Sequence, residues 1–560
     1  MKSIFATVFL IFTTCCATAQ KIPSASPKHE VRAVWLTTIG GLDWPHSYAQ
    51  TPRSVARQQN ELRQTLDRLR RAGINTVLIQ TRIRATTLYP SALEPWDGCL
   101  SGFPGKSPGY DALQFAIDEC HKRGMELHAW VVTIPVGRWN ATGCQRLRAK
   151  HPRLLKRIGD EGFMNPELPE TADYLADLCS EIVSNYDVDG IHLDYIRYPE
   201  TWKQKVNPAT GRTHITRIVS RISHTVHRLK PWVKMSCSPI GKREDLTRYW
   251  SHGWNARQTA CQDPDQWLAD GLMDQLYPMM YFRGDQFFPF ALDWQEQSHG
   301  KTIVPGLGIY FLSPKEKDWP LTDIEREMRV SRTEGMGHAY FRSKFLTDNV
   351  KGLYNLASLD IDARPSLIPP MTWADEPAPE APEDLQVTHT AWGDSLVWTP
   401  SVTRGNSPNL LYNVYASAEG EPDTADASQL IVIRRKETYL RVPTGGRLMH
   451  YAVTATDRYA QESGPTYCHT PLHNSQDKQL SSQDTQLLRT ATGSIELPQR
   501  SSTTDADVLA VTDLTGRLVQ TLRWTTRPNL STLPDGMYIL HIMDKKGVTH
   551  RIAWMMKRKR

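Results

Sequence analysis

Residues 54–81 read SVARQQNELRQTLDRLRRAGINTVLIQT, and this stretch decides the fold. Its first part, Ser54–Ala72, places apolar side chains at helical spacing on an otherwise charged surface. Gly73 marks the stop, because glycine takes the left-handed conformation that ends a helix at little cost. Ile74–Thr81 then centres on the apolar run Val77-Leu78-Ile79, which suits a strand covered on both faces. A helix feeding directly into a doubly buried strand is the repeating unit of a parallel sheet.

The same alternation extends in both directions. Eight strand candidates are Val31–Thr38, Ile74–Thr81, Glu126–Thr133, Gly190–Arg197, Val233–Pro239, Gln275–Phe282, Thr302–Tyr310 and Gly337–Arg342. Helical patterns between them cover Tyr110–Lys122, Thr171–Tyr186, Thr213–Leu229 and Thr322–Thr333, and Pro231 follows the third where a helix cannot continue. Eight β/α units in roughly 310 residues predict an α/β fold of the (β/α)8 TIM-barrel kind, here assigned to residues 28–368. No G-x-G-x-x-G follows the first strand, so an open dinucleotide-binding sheet has no support.

The chain of 560 residues is too long for one core, and its pattern changes beyond the barrel. Residues 369–383, with Pro369, Pro370, Pro377, Pro379 and Pro382, predict a stiff linker. Short aromatic strands over 384–472 resemble a fibronectin type III β-sandwich. A second, polar linker covers 473–494. Residues 495–560, with Asp513–Arg517 and Leu533–Tyr538, look like the small C-terminal β-domain that directs type IX secretion in Bacteroidetes. At the other end, Lys2, the apolar run Ile4–Ile11 and Ala17-Thr18-Ala19 predict a signal peptide over residues 1–19. The expected location is therefore exported: periplasm, cell surface or extracellular, with attachment through the C-terminal domain and no membrane span.

Net charge is +6 and the basic residues are scattered, which excludes the basic stripe of a nucleic-acid binder. Seven cysteines follow the leader at wide spacings without a C-x-x-C pair, so buried free thiols are expected and a zinc site is not.

Barrel chemistry collects where strands end at the C-terminal face. Period-two alternation places Gly190, His192 and Asp194 on one side of the fourth strand. Asp194 at the top, near Arg197 and ringed by Tyr195 and Tyr198, suits stabilisation of an oxocarbenium-like centre or direct attack on it. A structural ion pair with Arg197 is the competing account. Glycoside hydrolysis needs a second carboxyl. Asp285, after the sixth strand, is the first choice, with Glu94 and Asp43 behind it. His128 and His192 would hydrogen-bond substrate, a metal site with Asp194 being the less favoured use. Arg82 and Arg84 would hold an acidic sugar substituent. Trp44, Trp96, Trp130, Tyr195, Tyr281 and Tyr310 sit at predicted strand tops and loops, where ring faces grip sugars.

Several motifs in order carry a resemblance: Glu30–Thr37, Leu42–Pro45, Ala72–Val77, Tyr89–Ser91, Glu94–Trp96, Cys120–Trp130 and Asp187–Tyr195. Together they resemble the glycosyl-hydrolase-like family 10, over about residues 30–345. The resemblance implies a TIM barrel that hydrolyses bacterial envelope glycan, with peptide-free peptidoglycan strands as the substrate class. This sequence departs from it after the second strand: many relatives carry Gly-Asp where Arg84-Ala85-Thr86-Thr87 stands here. The sequence thus predicts a secreted glycoside hydrolase of amino-sugar glycan, using Asp194 with Asp285 or Glu94 and no metal or cofactor. The alternative is a non-catalytic carbohydrate-binding surface protein.

Overall fold

A computed structural model describes residues 25–468, apart from 250, 252, 391–392, 406 and 445–446, together with 487–490 and most of 508–557. The expected signal peptide lies outside the described residues, as do parts of the C-terminal motifs. Residues 1–469 form one compact unit and 470–560 another.

Eight parallel strands make up the first unit's barrel: β1 (Arg32–Leu36), β2 (Thr76–Arg82), β3 (Glu126–Val132), β4 (Gly190–Asp194) and β5 (Lys234–Cys237). β6 comprises Gln275–Leu276 and Met279–Met280, β7 comprises Thr302–Ile303 and Gly306–Leu307, and β8 is His338–Tyr340. Each pairs with the next, and β8 returns to β1 through Arg32↔His338, so the sheet is closed. β6 and β7 are shorter than predicted. Pro278 and Pro305 stand in their middles, and proline has no N–H to give the ladder.

Three helices begin earlier than hydrophobic periodicity suggests and one begins two residues later, because capping residues and prolines set their starts. The helix α1 is Pro52–Arg71, with Thr51 and Ser54 forming a reciprocal cap. α2 is Ala112–His121, capped by Asp111. α3 (Pro169–Asn185) starts at a proline, and so does α4 (Pro208–Leu229), capped by Asn207. The sequence reading missed an insertion after β3, a small antiparallel sheet of Pro135–Arg138, Leu155–Ile158 and Glu161–Met164.

Two side-chain layers fill the barrel. Trp35, Leu78, Trp130, Tyr277, Val304 and Ala339 form its interior apolar cluster. Leu36, Val77, Ile79, Leu127, Ile191 and Leu193 alternate with them and pack outward with the helices. The barrel floor is charged. Glu126 receives Lys234 Nζ at 2.8 Å and faces His128 Nε2 at 3.1 Å. Burial would push Glu126 up, but Lys234 and Arg434 hold it down to about 2.

Arg434 comes from the β-sandwich beyond the barrel. That sandwich has a three-stranded sheet (Glu383–Thr390, Gly393–Thr399, Tyr439–Val442) and a four-stranded sheet led by Leu411–Ser417 and His450–Thr456. Arg434 reaches Glu126 at 2.9 Å and Asp189 at 2.7 Å, while Arg458 reaches Asp187 at 2.7 Å. The expected stiff linker at 369–383 is also tied down: Trp373 Nε1 donates to Asp274 and Met371 N–H to the Tyr459 carbonyl. The sandwich therefore docks on the barrel floor. The second unit is a five-stranded sheet with Gly536–Met543 at its centre.

Cys99, Cys120, Cys144, Cys179, Cys237 and Cys261 are buried free thiols, and Cys468 is half-buried. No helix among the described residues is long and apolar enough to cross a membrane.

Candidate active site

Inward-facing residues of three adjacent strands build the site in register. β4 contributes Gly190, His192 and Asp194. β5 opposes them with Lys234 and Ser236, and Ser238 continues the series. Gly190 is required here, since a Cβ would lie 2.6 Å from His128 Nδ1. One layer up, Trp35 Nε1 donates to His192 Nε2 at 3.2 Å, so the imidazole proton sits on Nδ1 and faces Ser236 Oγ at 3.0 Å. Burial, aided by nearby His128, keeps His192 well below the usual histidine range and neutral. With both ring nitrogens occupied, His192 is a spacer under the site and not a metal ligand.

Asp194 ends β4 at the top of this column. Its Oδ1 accepts from Tyr195 N–H at 2.7 Å and Ser238 Oγ at 2.9 Å, and its Oδ2 accepts from Trp130 Nε1 at 3.1 Å. Tyr195 holds φ at 53°, left-handed backbone that is uncommon for a bulky residue. Burial is the largest influence on the Asp194 carboxyl and raises it. The charge of Arg197 and the three hydrogen bonds recover only part of that rise.

Arg197 makes its ion pair elsewhere. Its Nη2 meets Glu200 Oε1 at 2.8 Å, and its guanidinium lies 4.1 Å over the Tyr195 ring. This departs from the competing account of Asp194 as Arg197's structural partner. Burial would raise Glu200, but Arg197 overturns that and holds it below the usual carboxylate range. The sequence reading did not select Glu200.

An arc of rings surrounds this end of the barrel. Tyr281 meets Tyr310 edge-on at 5.7 Å and Phe341 at 5.3 Å, and Phe341 meets Trp35 at 5.9 Å. Tyr281 and Tyr310 are half-buried, as is Tyr195.

Other expected site residues are placed differently. Glu94 and Arg82 form a buried ion pair at 2.7 Å, with Tyr174 donating to Glu94 and Arg82 also donating to the Thr133 carbonyl. Their charges satisfy each other in the core, which removes them from sugar binding and catalysis. Trp44 is wholly buried and donates to the Gln58 carbonyl, so it is core and not a platform. His128 is buried on the floor with Glu126, below any substrate. Asp43 is held by Arg342 and by Thr37 N–H. Asp285 is exposed on a single turn, Gly284–Gln286, beside Tyr249. Trp96 is half-buried against the core, and Arg84 is exposed.

Ser238, Trp35 and Phe341 were also missed. Ser238 was legible: the alternation that selects Asp194 on β4 selects Lys234, Ser236 and Ser238 on β5.

Fold and site thus define a class, a closed (β/α)8 barrel with a buried carboxylate and an aromatic arc at its C-terminal end. Within it, residues 30–210 match the model of the family described as glycosyl hydrolase-like 10. The chain is similar to Glycosyl hydrolase YngK of Bacillus subtilis (strain 168), 27% identical over 81% of this chain and 96% of that protein. It is also similar to Glycosyl hydrolase DigH of Escherichia coli (strain K12), 32% identical over 45% of this chain. That match spans 65% of DigH's length. Among solved structures, the PgaB (BpsB) glycoside hydrolase domain from Bordetella bronchiseptica is 12% identical with a TM-score of 0.42, over 60% of this chain and 99% of that one. Alpha-L-fucosidase isoenzyme 2 from Paenibacillus thiaminolyticus is 14% identical with a TM-score of 0.40, over 59% of this chain and 49% of that one.

Proposed function

We propose that the chain is an exported glycosidase acting on bacterial envelope glycan, with amino-sugar strands such as peptide-free peptidoglycan as substrate. One observation carries the reading: Asp194, buried at the end of β4, and Glu200, paired with Arg197 at 2.8 Å, sit in environments that push the two carboxyls apart. Asp194 is raised by burial and Glu200 is lowered by Arg197. Such a split assigns an acid and a base. Asp194 holds a proton on the side of Oδ2 and delivers it to the glycosidic oxygen. Glu200, ionised and facing water, activates the attacking water or supports the substrate's own acetamido group. Tyr281, Tyr310 and Tyr195 offer ring faces to the sugar, and Arg197 fixes the loop that carries Glu200.

The family match and the names of the similar proteins support hydrolysis, and the quoted leader motif supports export. The sandwich is read as fibronectin type III-like, and the C-terminal unit as a sorting and attachment domain.

The test is product release. Wild type and Asp194→Asn protein are incubated with peptidoglycan, peptide-free glycan strands and chitin oligomers, and products are read by mass spectrometry. Fragments from wild type alone support the assignment, and equal fragments from both remove Asp194 from it. Tight binding without any fragments favours the non-catalytic carbohydrate-binding reading. Cell fractionation with N-terminal sequencing tests export, which predicts a mature chain beginning at Gln20.

A further inference from the structure

The loops after β1, β2 and β3 enclose a cleft of about 580 Å³ at the same end of the barrel as Asp194. Arg84, from the loop after β2, and Arg138, from the inserted hairpin after β3, both line it. Both are exposed, and among the described residues neither guanidinium meets a carboxylate or a hydrogen-bond acceptor. Other arginines differ: Arg82 at the end of β2, and Arg197 and Arg342 after β4 and β8, are each paired with an acid. Asp97 also lines the cleft, but its two oxygens already accept from Thr86 Oγ1 at 2.6 Å and Cys99 N–H at 2.7 Å.

Two further features point to a sugar. Tyr48 lines the cleft at 58% exposure. An exposed tyrosine ring can stack on the apolar face of a sugar. Gly40 and Gly41, at φ 61° and 69°, have open space where a Cβ would stand, so a polymer can approach the backbone. At Gly137 a Cβ would press on the Arg84 side chain at 3.2 Å, and its absence lets Arg84 lie across the hairpin.

We infer that this cleft is a subsite for a carboxylate carried on a sugar ring of the glycan, with Arg84 and Arg138 as the clamp and Tyr48 as the platform. The planar guanidinium matches a carboxylate with two parallel N–H donors, and two of them line this one cleft. The carboxylate can be the lactyl ether of a muramic-type sugar or the C6 acid of a uronic sugar. The inference rests on the glycan reading above and deepens it.

The experiment measures binding, so it does not depend on hydrolysis. Full-length wild type and the Arg84→Gln/Arg138→Gln double variant are titrated calorimetrically with size-matched oligomers: peptide-free muramic-containing glycan, oligouronate and chitin. Unchanged thermal unfolding verifies the fold of the variant. Wild type is expected to bind the muramic oligomer at least ~10-fold tighter than chitin, with an advantage that shrinks as salt rises. The double variant is expected to lose that advantage and keep its chitin affinity. Equal binding of oligouronate identifies any ring-borne carboxylate as the ligand, and weaker binding identifies the lactyl ether. Equal wild-type affinity for charged and neutral oligomers overturns the subsite, and so does a variant that loses chitin as much as the muramic oligomer. A wild type that hydrolyses nothing yet shows the charged preference overturns only the catalytic reading.

Discussion

Trp130 on β3 donates its indole N–H to Asp194 Oδ2 on β4 across 3.1 Å, which ties the candidate acid to the neighbouring strand. The bond favours the ionised carboxylate, against the burial that favours the neutral one. Trp130→Phe removes the donor and raises Asp194 further. As proton donor, Asp194 works while protonated, so the rate falls as pH rises through its pKa. In Trp130→Phe this alkaline limb moves to higher pH. Asp194→Asn lowers kcat by about 10²–10⁴-fold, the usual contribution of a general acid. A limb that moves down or stays fixed in Trp130→Phe counts against the acid role.

Glu200 carries the opposite prediction. Held ionised by Arg197, it sets the acidic limb, and activity falls as pH drops through its lowered pKa. Glu200→Gln is expected to cost about 10²–10⁴-fold in kcat and to flatten that limb. Its unfolding midpoint is expected to fall, because Arg197 is 3% exposed and loses its counter-charge, so kcat is read on protein verified as folded. Full activity in this variant would assign the base elsewhere.

Glu94→Gln reads out stability. It leaves the Arg82 guanidinium buried without its counter-charge, and breaking such a pair costs about 3–5 kcal/mol. Urea titration monitored by tryptophan fluorescence measures the loss, with unchanged KM for the protein that remains folded. An altered KM with unaltered stability would return Glu94 to the substrate site.

Loss of stability in acid follows from the barrel floor. Glu126 is held down to about 2 in the folded chain, below its unfolded value. A depressed carboxylate stabilises fully above its unfolded pKa, and the contribution is lost as pH falls from there through about 2. Urea midpoints are therefore expected to fall steadily between roughly pH 4.5 and 2. In Arg434→Met the floor loses one of the charges holding Glu126 and Asp189, so the fall below the unfolded pKa is smaller and ends at higher pH. Coincident titration curves for wild type and variant would refute this coupling of sandwich and floor.

Much of this was legible in order along the chain. Two-sided apolar runs delivered by helices predicted the parallel strands, and period-two alternation selected Asp194 with His192 one layer below. Those are local patterns, set by which side chains must leave water. The same rule applied to β5 yields Ser238. Pairing partners were not legible. Nothing near Glu94 in sequence says that Arg82 will bury it, and nothing near Arg434 says that it will cross from a later domain to Glu126.

The sequence by itself determined which elements form and which of their faces turn inward, because both depend on neighbours a few residues apart. Tertiary structure alone decided which charges are spent on one another and which stay free for a ligand. A carboxylate's role depends on its burial and on the cations within a few ångströms, and those cations arrive from other strands, loops and the docked sandwich.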